Sequence, residues 1–110
     1  MSNQPFDQRL AFDTELVVNA AFTGVAQLVG TLTNEPVVMM FKNQSSVSVF
    51  LADNSGSTKG TTMIAGEEII LDCRANHGKA ENMGFPIGTS FFVTGTGGTG
   101  AFRISVIYAK

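Results

Sequence analysis

Hydrophobic and polar residues alternate with a period of two over much of the second half of the chain. The segment "VSVFLA" (47–52) sets Val47, Val49 and Leu51 against Ser48 and Phe50. In "EEIILDC" (67–73), Ile69, Leu71 and Cys73 fall on one side and Glu68, Ile70 and Asp72 on the other. "TSFFVTG" (89–95) places Phe91 and Val93 together, and "AFRISVIYA" (101–109) opposes Phe102, Ile104, Val106 and Tyr108 to Arg103, Ser105 and Ile107. "VVMMFKN" (37–43) is a run rich in apolar and β-branched residues that follows Pro36, a residue suited to the first position of a strand. Successive strand side chains point to opposite faces, so these patterns predict strands separated by turns. The spacing predicts an all-β, jelly-roll-like sandwich of seven or eight antiparallel strands.

The first third is less periodic. Residues 15–33 hold the β-formers Val17, Val18, Phe22, Val25 and Val29, interrupted by Asn19, Gly24 and Gly30. They fit one or two strands bent at Thr23-Gly24, with a short helix as the alternative. Residues 1–14 show no clean period and read as an N-terminal arm ahead of a single domain over 15–110. Pro5 lacks the N–H a ladder needs, and Phe6, Leu10 and Phe12 have no obvious local apolar partner. The arm is either a frayed tail or a segment that docks on a neighbouring chain, and its phenylalanines favour docking.

The breaks carry turn chemistry. Asp53-Asn54-Ser55-Gly56-Ser57 is dense in turn formers, and Ala65-Gly66 predicts a tight turn ahead of 67–73. The longest polar break, "RANHGKAENMGFPIG" (74–88), is a loop of the kind that carries function on a rigid scaffold. Within it Asn76, His77, Lys79 and Glu81 are candidate partner-binding residues.

Gly95, Gly97 and Gly100 spell G-x-G-x-x-G. A dinucleotide loop needs a helix N-terminus behind its glycines to hold the pyrophosphate. Here an alternating β segment follows, so the glycines predict a hairpin between 89–94 and 101–109. Cys73, in register with Ile69 and Leu71, is expected in the core. One Cys and one His cannot close a four-ligand zinc site, and "DNSGS" lacks the carboxylates of a calcium loop. Neighbouring strand residues Glu67 and Glu68 cannot jointly flank a bond. No catalytic, metal or cofactor residue is therefore assigned, and the chain is expected not to be an enzyme. Phe50, Phe92 and Ile107 lie opposite their strands' main apolar faces, under a second layer or loop, or in a patch for self-association.

Seven basic and nine acidic residues give a net charge of −2, with no two basic residues adjacent, which argues against nucleic acid as a partner. Only 15% of residues are charged, a hint that some surface is covered in an assembly. No apolar run approaches a membrane span, and "MSNQPFDQRL" has no signal-peptide core. The sequon Asn43-Gln44-Ser45 is thus expected to be a chance match.

From Asn43 onward, "NQSSVSVFLADNSGSTKGTTMIAGEEIIL" resembles the small β-sandwich proteins of tailed-bacteriophage particles. The shared features are a V-x-V-x-L strand, a turn with Asn or Gly, a short extended piece over 60–64, an Ala-Gly turn and a strand opening with Glu. "GTSFFVTGTGGTGAFRISVIYA" is similar to the ending of the same modules. The resemblance implies a virion structural protein made in the host cytoplasm. The leading type is a capsid decoration (cement) protein, commonly a homotrimer on the capsid exterior bridging major capsid subunits. The alternative is a head or tail fibre module that recognises a host glycan or protein through the 74–88 loop. An arm reaching onto the shell is frequent in decoration proteins, and residues 1–14 would suit it.

Overall fold

The computed structural model describes residues 9–54, 56, 58–73 and 85–110. They form nine strands: β1 (Leu10–Phe12), β2 (Leu16–Thr23), β3 (Gln27–Thr31), β4 (Pro36–Ser45), β5 (Val49–Ala52), β6 (Thr61–Met63), β7 (Glu68–Asp72), β8 (Ser90–Thr94) and β9 (Thr96–Ala109). No helix occurs among the described residues. Two antiparallel sheets result. The first has the order β2–β9–β4–β7, with β1 continuing β2's edge alongside the end of β9; the second runs β3–β8–β5–β6.

This order is that of a jelly roll. The β2·β9 pair of one sheet is followed around the sandwich by β3·β8 of the other, and β4·β7 by β5·β6. The alternating patterns explain the layers. Met39 and Phe41 of β4, Phe102, Ile104 and Val106 of β9, Val49 and Leu51 of β5, Met63 of β6, and Phe91 and Val93 of β8 all turn inward and are buried. Phe91 is held edge-on by Phe41 and Phe85, at ring-centroid distances of 5.7 and 4.9 Å.

Residues 15–33 resolve into two strands, β2 and β3, in different sheets. The chain changes sheets at Gly24, whose φ of +88° suits glycine and whose N–H donates to the Gly95 carbonyl at 2.8 Å. The Ala65-Gly66 turn forms as expected: Glu67 N donates to Ile64 O (3.0 Å), and the Glu67 carboxylate accepts from Ile64 N (2.9 Å).

The glycine-rich segment departs from the expected hairpin. β8 and β9 belong to opposite sheets, and the chain crosses between them at Gly95. Gly97 to Gly100 lie inside β9, where Gly100 is the register partner of both Ala20 and Ser45. A hairpin follows from two neighbouring strands only if they share a sheet, and these two do not.

Residues 10–12 of the expected arm are a strand of the first sheet. Leu10, Ala11 and Phe12 face Ala109, Tyr108 and Ile107, and flanking bonds run from Lys110 N to Arg9 O and from Asp13 N to Val106 O. Asp13 also ties this edge to the β3–β4 connection. The side-chain hydrogen bond from Asn34 (3.0 Å), with smaller help from Thr14 N and Thr33 Oγ1, holds its carboxyl below the usual range.

Candidate functional site

Sheet register decides which outward side chains become neighbours. On the outer face of the first sheet, Phe12, Ile107 and Val38 lie side by side across β1, β9 and β4. The next row holds Ser105, Met40 and Ile70 across β9, β4 and β7. Leu10 and Ala109 extend the surface at one end. A row of Val17, Arg103, Lys42 and Glu68 borders it at the other. Two largely apolar rows therefore cross the sheet on the side facing away from the core, the Phe12 row ending at Asp72 of β7, and Leu10 with Ala109 extends them at one end.

This surface is open. Leu10 is 61% exposed, Phe12 76% and Ile70 65%, while Val38, Met40 and Ile107 are half-buried by their neighbours. Phe12 alone can present up to about 150–250 Å², and with Leu10, Ile70 and the half-buried residues the face offers roughly 500 Å² of apolar area, within the range of a monomer's largest patch. Leu10, Ala11, Phe12 and Ile107 also frame a notch of about 230 Å³. The polar border is already organised: Arg103 Nη1 pairs with Glu15 Oε1 at 2.7 Å, and Arg103 Nε donates to Gln44 Oε1 at 2.8 Å. Such a surface offers no converging donors to a substrate; what it can do is bury apolar area against a partner.

The outer face of the second sheet is different. Phe50 sits between Thr94 and Thr62, and Thr31 and Ser90 hydroxyls meet at 2.7 Å. Phe92 has Leu28 beside it, and Phe50 lies beneath Gly60, where an added Cβ would come within 2.9 Å of Phe50 Cζ. Of the three apolar residues opposite the main pattern, Ile107 belongs to the open face of the first sheet.

Leu10 and Phe12 are thus brought together with Ile107. Phe6, Asn76, His77, Lys79 and Glu81 lie outside the described residues. Val38, Met40 and Ile70 are surface residues that sequence reasoning did not single out. The signals for them were the unbroken apolar runs over 37–41 and 69–71, since a strand apolar on both sides is covered on both sides.

Two further features bear on chemistry. A cleft of about 200 Å³ opens between the sheets, lined by Phe41, Phe85, Phe91, Leu51 and Ala52, with Asp53 and Lys59 among its walls. Cys73 is fully buried, and burial, with the nearby Asp72 charge, pushes its thiol up. In the native protein at neutral pH, Cys73 is expected to react with a bulky thiol reagent at least about tenfold more slowly than in denaturant. Equal rates in the two states would contradict its placement in the core. Among the described residues no group of three or more His, Cys, Asp or Glu side chains is placed to hold a metal ion.

No protein-family model, curated protein or solved structure matches this chain.

Proposed function

We propose that this chain is a structural protein of a virus particle, a capsid decoration (cement) protein that stabilises the shell by bridging major capsid subunits from the capsid exterior. The observation that carries the reading is the apolar outer face of the first sheet, continuous with Leu10 and Phe12 at the foot of the N-terminal segment. An exposed apolar sheet face bordered by paired charges is suited to adhesion. The phage-like phrases of the sequence and the low share of charged residues support the same reading. Each site would contribute little, and many copies on one shell would give avidity.

The test is co-sedimentation of the purified protein with mature capsids. The full chain is expected to travel with the particles and to raise their resistance to heat. A variant lacking residues 1–14 is expected to bind at least about tenfold more weakly, having lost both the N-terminal segment and the β1 edge. Undiminished binding by that variant would remove the arm from the mechanism. Absence of capsid binding by the full chain would overturn the proposal. The fibre-module alternative instead expects binding to host cells that disappears when 74–88 is replaced.

A further inference from the structure

We infer that the outer face of the first sheet is covered by the same face of a second copy of this chain, with the strands of the two sheets crossing near a right angle. The inference rests on the proposed function only in taking that face as a contact surface; in such a dimer the face is closed, and contact with the shell passes to the N-terminal segment.

Shape comes first. Four neighbouring strands about 4.8 Å apart, over the span from Arg103 to Ala109 at about 3.4 Å per residue, make a pleated surface roughly 15 by 20 Å. A broad pleated surface is best filled by another one about 10 Å away, in aligned or orthogonal packing. Area agrees. The apolar rows supply roughly 500 Å², and the polar row beside them brings the face toward the ~800 Å² per partner of a standard interface.

Charge then selects the arrangement. Arg9 and Lys110 close the β1–β9 corner, while Glu68 and Asp72 stand on β7 at the far edge. A two-fold axis along the strands would lay Arg103 over Lys42 of the second copy. An axis across the strands, through the Ser105–Met40–Ile70 row, would lay Glu68 over Asp72. A diagonal axis removes both clashes. It brings the Arg9–Lys110 corner over the second copy's β7 edge and Arg103 over its Glu15, and it stacks apolar rows on apolar rows. The contact is isologous, so each favourable pair occurs twice. Val38 and Ser105 fall on this axis, each facing its own copy.

Sedimentation velocity and light scattering on the full chain test the inference. A dimer is expected at micromolar concentrations. Ile70→Asp, at a position 65% exposed, is expected to weaken it at least about tenfold with an unchanged far-ultraviolet circular dichroism spectrum. Glu68→Lys should weaken the dimer, and adding Arg9→Glu should restore it. In a Cys73→Ser background, Val38→Cys should be linked to its own copy by a bifunctional thiol reagent that spans about 10 Å, the sheet-to-sheet spacing. A monomer at all concentrations would overturn the inference, as would a trimer indifferent to Ile70→Asp. A monomer whose capsid binding is abolished by Ile70→Asp would give the face to the shell, overturning self-association while upholding the decoration role. A dimer with no affinity for capsids would do the reverse.

Discussion

Asn43→Leu is expected to destabilise the protein by about 3–5 kcal/mol, near the top of the range for single substitutions. Asn43 is fully buried near the end of β4. Its Nδ2 lies within hydrogen-bond distance of three carbonyls: Val47 O at 3.0 Å, Met63 O at 2.9 Å and Ile64 O at 3.1 Å. Its Oδ1 accepts from Ser45 N at 3.1 Å and Ser45 Oγ at 2.6 Å. One amide thus joins the β4–β5 connection to the end of β6 and the turn after it. Leucine keeps the approximate volume but donates and accepts nothing. Each buried group left without a partner costs about 1–3 kcal/mol, and neighbouring losses do not add fully. Urea denaturation should show a lowered midpoint with little change in slope. Asn43→Asp keeps an acceptor for Ser45 but removes the donors and sets a buried charge against the same carbonyls, so it is expected to cost at least as much. A loss below about 1 kcal/mol for Asn43→Leu would show that the clamp contributes no more than an ordinary hydrogen bond.

Gly100→Ala is expected to cost about 3 kcal/mol or more, and Gly97→Ala only about 1 kcal/mol. Gly100 has φ = +132°, and a Cβ there would meet Ser45 Cα at 2.7 Å and Gln44 O at 3.1 Å. Those atoms are backbone of the neighbouring strand and cannot turn aside as a side-chain tip would. Gly97 has φ = +81° but open space where its Cβ would stand. The two variants separate the strain of a left-handed conformation from the collision of two strands. Thermal denaturation of both, beside the unaltered chain, reads the difference directly. Equal melting temperatures for the two variants would show that the β9–β4 approach at Gly100 has room to relax.

These two sites also mark where sequence reasoning stops. Asn43 reads along the chain as the first residue of a sequon; its burial and its contacts with Val47, Met63 and Ile64 arise only when β4, β5 and β6 are assembled. The G-x-G-x-x-G glycines read along the chain as a hairpin loop, because an alternating segment follows them; instead Gly97 to Gly100 lie within β9. Their assignment to a hairpin failed because nearness in sequence does not determine nearness within a sheet.

The sequence by itself determined that the chain is all-β. Side chains of a strand alternate between two faces, and that period of two is written into "VSVFLA" and "AFRISVIYA" whatever the strands pair with. It also located the turn at Ala65-Gly66, where local backbone geometry selects the residues, and marked Leu10 and Phe12 as apolar groups lacking local cover. Only the tertiary structure decided that β2, β9, β4 and β7 share a sheet, and that Phe12, Ile107, Val38, Met40 and Ile70 form one open surface. Alternation says which residues share a face of one strand. Which strands stand side by side, and in what register, depends on hydrogen bonds between segments far apart in the chain, and no local pattern encodes them.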